Sequence, residues 1–237
     1  MKILFYPASE RGHVNYGWLE SHHSFSFGNW HDREKVHFGA LRVLNDDIVK
    51  GGKGFDAHPH DNMEIVSIPL KGALAHKDST GTEGILYTDD VQIMSAGSGI
   101  SHSEFNASHY DPVNFLQIWI FPKQRNIKPR YDQKTFDPAG RIDRWQIVVS
   151  PRPEDAAVWI NQDARIALTR LTAGTTISYS PAYTDNGIYV FVLEGEVTID
   201  GQRLERRDAI GISGTGDLSI QAGAQTDLLA IEVPMFA

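Results

Sequence analysis

The chain has 237 residues, 10 histidines, no cysteine and a formal net charge of -8. That length allows one large or two modest domains, and the missing cysteine removes disulfides, thiolate metal sites and cysteine nucleophiles. The negative charge argues against direct nucleic-acid binding, and no apolar run approaches the roughly eighteen residues of a membrane span, so the chain reads as cytoplasmic.

In chain order, the stretch from Trp18 to Trp30 is dense in aromatic and histidine residues. The alternation Ser24-Phe25-Ser26-Phe27 predicts a strand with Phe25 and Phe27 on one face, where both are candidates to line a substrate pocket. His22, His23 and His31 read as hydrogen-bonded or exposed histidines rather than metal ligands. Ala40 to Val49 predicts two short strands around an Asn45-Asp46-Asp47 turn. A glycine-rich turn, Gly51-Gly52-Lys53-Gly54, precedes His58-Pro59-His60, and the apolar run Ile65 to Leu70 follows, closed by Lys71-Gly72. Turns are expected at Thr80 to Gly84 and Thr88 to Asp90. Val91 to Met94 then leads through Ala96-Gly97-Ser98-Gly99 to His102-Ser103-Glu104, and Leu116 to Phe121 ends at Pro122.

In an extended strand the side chains of residues i and i+2 stand on the same face. His58 and His60, and likewise His102 and Glu104, can therefore each push two donor groups in one direction. Three imidazoles and one carboxylate suit a first-row divalent metal and leave coordination positions for substrate and dioxygen. Two hairpin-like units, each presenting a two-ligand strand, fit a small β-barrel closed around a metal in its mouth.

Beyond Pro122 a proline-punctuated passage reads as a connector with local strands. A second run of strands follows, in which Leu193-Glu194-Gly195 stands as Leu70-Lys71-Gly72 does, the mark of an internal duplication. Equivalent spacing places Pro181 and Tyr183 where His58 and His60 stand, and no histidine follows His109. A metal-free second barrel is expected. The basic cluster Arg203 to Arg207 reads as a solvated strand edge or turn.

Together these residues resemble the pirin family of the cupin superfamily over nearly the full length. The likeness rests on His22-His23-Ser24-Phe25-Ser26-Phe27, on Leu41 to Asp47, on His58-Pro59-His60-Asp61-Asn62-Met63-Glu64, and on Gln92 to Ile100 leading into His102-Ser103-Glu104. Gln117-Ile118-Trp119-Ile120 and Pro129-Arg130-Tyr131 add to it. The resemblance implies an all-β fold of two tandem cupin barrels of the double-stranded β-helix or jelly-roll kind. It implies a metal, commonly Fe(2+), held by His58, His60, His102 and Glu104, and a degenerate C-terminal barrel. Glu64 stands near the carboxylate position of the general cupin pattern, but the glycine spacing puts Ile65 there and leaves Glu104 to supply the charge. Asp89 stands where pirins usually have glycine.

The expected organisation is a metal-binding barrel over residues 1–125, a connector over 126–155 and a degenerate barrel over 156–237. The resemblance implies an enzyme like the quercetin 2,3-dioxygenases, acting on a small aromatic substrate and dioxygen with Glu104 as ligand and base. A second reading is a non-catalytic metal-dependent regulatory protein with a protein partner. A third, a sugar-phosphate isomerase or storage-type cupin, follows from fold alone.

Overall fold

Period-two patterns dominate the sequence, and the computed structural model, which describes residues 1–214 and 216–236, turns them into twenty-one strands and three 3-10 turns. The strands form two pairs of sheets. In the first pair, a seven-stranded sheet runs in the order Arg130–Thr135, Asp90–Ser95, Glu64–Lys71, Val113–Ile120, Leu41–Val49, Leu19–His23 and Gly12–Asn15. It faces a four-stranded sheet of Gly54–His60, Ile100–Asn106, Ala73–Asp78 and Glu83–Tyr87. The second pair has a six-stranded sheet in the order Lys2–Tyr6, Ala209–Ser213, Asn186–Glu194, Thr226–Pro234, Arg165–Leu171 and Gln146–Val149. Its four-stranded partner contains Thr176–Tyr179, Leu218–Ala222, Val197–Ile199 and Gln202–Leu204.

Strand parity decides what each large sheet does with its two faces. Val66, Ile68, Leu116 and Ile118 on the first and Ile166, Phe191, Leu229 and Ile231 on the second join one buried core between the two barrels. Each such side chain contributes about 1.5–3 kcal/mol by leaving water. The alternate residues point into the barrels. In the second barrel these are Ile188, Val190, Val192, Leu228 and Ala230, which fill its interior. In the first they include Ile65, Ser67, Gln117 and Asn45, which meet directly across neighbouring strands or alternate with the core residues.

The duplication appears in the register. Gly72 and Gly195 both end their strands in the left-handed region, at φ 79° and 86°. Trp119 lies opposite Ile65 in the first barrel, and Glu232 lies opposite Ile188 in the second. Glu232 is buried and accepts hydrogen bonds from the amides of Ala182 (2.9 Å) and Tyr183 (3.0 Å), from Asn186 (3.2 Å) and from the Tyr179 hydroxyl (3.1 Å).

Several sequence expectations need correction. Asn45-Asp46-Asp47 is no turn but the middle of one nine-residue strand, Leu41–Val49. Its polar side chains are accommodated because Asp46 meets Arg207 (2.7 Å) and Asn114 (2.8 Å) on one face, while Asn45 and Asp47 enter the barrel on the other. Arg207 is therefore a buried partner of Asp46, unlike its exposed neighbours Arg203 and Arg206. Hydrogen bonding also does not follow the expected division at residues 125 and 155. Lys2–Tyr6 pairs with Ala209–Ser213 in the second barrel, whereas Arg130–Thr135 pairs with Asp90–Ser95 in the first.

Candidate metal centre

His58 and His60 lie on Gly54–His60, and His102 stands directly opposite His58 on the antiparallel neighbour. A β-bulge between His102 and Glu104 shifts the register, so that Glu104 faces Phe55 on one side and His76 on the other. Bulges re-aim side chains in this way near functional sites. One ligand nitrogen from each of His58, His60 and His102 lies within 4.8 Å of the others. Glu104 meets His102 in an overlapping group with His76, at the same spacing.

The three imidazoles are prepared to donate lone pairs. His58 Nδ1 lies 2.7 Å from the carbonyl of Asp56, which can only accept, so the proton sits on Nδ1 and Nε2 is free. The Nε2 atoms of His60 and His102 are 3.1 Å apart. Burial, reinforced by His58, pushes His60 down to about 4, and burial with His58, His60 and His76 pushes His102 down to about 2. Both rings are thus neutral near pH 7, with two facing nitrogens that can share one proton at most. A cation fits such a pair, and the nitrogen-rich, oxygen-completed donor set fits a first-row metal.

Glu104 is buried and accepts hydrogen bonds from the Ser67 hydroxyl (3.0 Å) and the Gln117 amide. Burial and the neighbouring Asp47 push its carboxyl up to about 7 against the pull of those two donors. Glu64 has no part here. Strand parity turns it away from the histidines, and it accepts from Ser95 Oγ (2.7 Å) on the neighbouring strand and from the amide of Asn161 (3.1 Å).

A cavity of about 220 Å³ adjoins the histidines, lined on its apolar side by Phe27, Phe55 and Trp119. Phe27 meets Trp119 edge to face at 5.3 Å, and Trp119 meets His60 at 4.9 Å. A wider, open mouth of about 800 Å³ shares His58, His60 and Trp119 with it. Phe25 is not in this wall. The strand stops at His23, so the expected alternation is lost, and Phe25 is fully buried against Tyr6 and Tyr189 in the inter-barrel core. His22 stacks on His13 at the sheet edge, and His23 is buried.

The sequence reading missed His76, Asn45, Asp47, Phe55, Gln117 and Trp119. His76 Nε2 lies 3.2 Å from Asp78, and burial lowers the affinity of the ring for a proton while Asp78 opposes this. A signal existed for some of them. Gln117 interrupts the apolar run Leu116 to Ile120, and His76 and Asp78 sit two apart on one strand face.

Known proteins resemble this chain over nearly its whole length. Residues 5–120 match the Pirin family model, and residues 147–233 match the model described as the quercetinase C-terminal cupin domain. The chain belongs to the pirin family. It is 38% identical over 232 residues to a quercetin 2,3-dioxygenase of Escherichia coli K12, covering 98% of this chain and 99% of that one. A pirin-like protein of Caulobacter vibrioides is 36% identical, covering 95% and 97% of the two chains. The crystal structure of YhhW from Escherichia coli superposes with a TM-score of 0.94 at 37% identity over 99% of both chains. A second structure of that pirin, in complex with nickel(II), gives 0.93 at 36% identity, over 99% of this chain and 100% of that one. This is a pirin-type cupin enzyme, two cupin barrels with a histidine and glutamate cluster suited to a metal. Among the described residues no helix is long and apolar enough to cross a membrane.

Proposed function

We propose that the protein is a cytoplasmic metal-dependent dioxygenase that cleaves flavonols such as quercetin. In this reading His58, His60, His102 and Glu104 hold one divalent metal, Fe(2+) foremost. The observation that carries it is the cavity beside the histidines, where nitrogen and carboxylate donors meet an aromatic wall. The bound metal supplies Lewis acidity at the substrate oxygen and a position for dioxygen beside it.

The residues of the chain do the remaining work. Phe27, Phe55 and Trp119 hold the substrate rings and keep water out. Ser67 and Gln117 fix the Glu104 carboxylate, whose oxygen takes the proton of the flavonol 3-hydroxyl. The cavity is smaller than the roughly 300–1,000 Å³ typical of sites for drug-sized ligands, so a three-ring flavonol extends toward the open mouth.

Oxygen uptake and flavonol loss by iron-loaded protein test the reading. Glu104→Gln keeps an oxygen ligand but cannot take the proton, so it retains much of the metal and loses most turnover. Wild type that is inactive with iron, nickel, manganese and cobalt ends the dioxygenase reading, leaving a metal-dependent regulatory protein as the better account.

A further inference from the structure

A single row of polar side chains crosses the seven-stranded sheet beneath the histidines. His23, Asn45, Gln117, Ser67, Gln92 and Gln133 stand directly opposite one another on successive strands. Directly opposed residues share a face, and a polar row inside a barrel is costly unless it is hydrogen-bonded. Ser67 and Gln117 meet that demand by donating to Glu104.

Asn45 and Asp47 meet it only in part, since Asp47 is hydrogen-bonded by Ser21 across the sheet yet each residue keeps one oxygen without a partner among the described residues. They lie two apart on Leu41–Val49, so their side chains project from the same face roughly 6–7 Å apart. Both are at least nine-tenths buried, with 2% and 3% exposure, and both line the 220 Å³ cavity. The carboxamide oxygen of Asn45 and one carboxyl oxygen of Asp47 have no partner among the described residues. The adjoining Gln117 carboxamide oxygen is in the same position. Three acceptors thus border a cavity that Phe27, Phe55 and Trp119 also line.

We infer that Asn45 and Asp47 are specificity-determining residues that accept hydrogen bonds from hydroxyl groups of the aromatic substrate, so that the site takes polyhydroxylated rings in preference to unsubstituted ones. The inference rests on the proposed function in one respect, that the substrate enters this cavity. Buried acceptors read a ligand hydroxyl strongly, because an analogue lacking it leaves them dehydrated and unpaired.

Two flavonols test this, quercetin and 3-hydroxyflavone, which carry the same metal-chelating 3-hydroxy-4-keto group and differ in the hydroxyls on the two benzene rings. Their affinities are measured by calorimetry under nitrogen with zinc-loaded protein, and their turnover is measured in air with iron-loaded protein. Wild type should bind quercetin roughly tenfold or more tighter than 3-hydroxyflavone. Asn45→Leu and Asp47→Leu should bring that ratio toward one, whereas Asp47→Asn, which keeps an acceptor oxygen, should retain most of it. Equal affinities in wild type, or a ratio unmoved in the leucine variants, overturn the inference; turnover of both flavonols in that case leaves the dioxygenase reading intact. Discrimination in binding without any turnover does the reverse, and failure of both flavonols to bind overturns both. If the leucine variants do not fold, the two ligands on wild type decide alone.

Discussion

Trp119 and Glu232 occupy matching places in the two barrels, one opposite Ile65 and the other opposite Ile188. The indole borders a cavity, while the carboxylate draws the Ala182 and Tyr183 amides down onto itself and closes the corresponding space. Replacing Glu232 by alanine would orphan those amides and the Tyr179 hydroxyl. At about 1–3 kcal/mol for each buried donor left unpaired, the variant should lose at least about 3 kcal/mol in urea unfolding, with metal content unchanged.

The facing nitrogens of His60 and His102 predict a stability that depends on metal. His60→Ala and His102→Ala should each lower bound metal several-fold, as read by elemental analysis of protein purified without chelator. Chelator should lower the melting temperature of wild type and leave that of the two variants nearly unmoved, because only a ligand of the native state stabilises it.

Glu64 predicts a pH dependence that does not involve the metal centre. Burial, opposed by the Ser95 hydroxyl and the Asn161 amide, pushes its carboxyl up to about 7. The folded state therefore prefers the protonated form. The associated stability is present below the ordinary carboxyl range near 4.5 and is lost as pH rises through about 7. Glu64→Gln removes the ionisation and preserves an acceptor for both donors. It should gain about 1–2 kcal/mol over wild type at pH 8 and close to nothing at pH 4.5, measured by denaturant titration at each pH.

Asp46 links the barrels. Burial disfavours its charge, but Arg207, Asn114 and Arg11 outweigh that and hold the carboxyl below its usual range. Asp46→Ala leaves Arg11 buried without its carboxylate and Arg207 with only the exposed Glu194 at 3.7 Å, and the expected cost is about 3–5 kcal/mol. An urea midpoint within experimental error of wild type would show that solvent reaches the arginines.

The histidine triplets were legible because one short pattern on a strand fixes both residue type and face. The polar residues of Leu41–Val49 were not. Asn and Asp are turn residues by frequency, and only the cross-strand partners of Asn45 and Asp47 reveal that the barrel interior takes them. Phe25 failed for the opposite reason, since a clean alternation says nothing about where a strand stops, and here it stops at His23, which leaves Phe27 in the cavity wall without it. Glycine spacing put Ile65 rather than Glu64 at the carboxylate position, and in the structure the Glu64 carboxylate meets Ser95 and Asn161 away from the histidines. The partner of Lys2–Tyr6 had no sequence signal at all, as no local pattern specifies a pairing so remote along the chain.

That remote pairing bears on how the protein is made. Lys2 comes to lie opposite Ser213 and Tyr6 opposite Ala209, so this strand finds its hydrogen-bonding partner only after the chain through Ser213 has been made. Until then its apolar residues Ile3, Leu4 and Phe5 stand on an unpaired strand, a template for misdirected pairing between nascent chains. The strand Lys2–Tyr6 acts as a late clasp: the first barrel can assemble ahead of it, but the six-stranded sheet is complete only once Ala209–Ser213 and Thr226–Pro234 have been made.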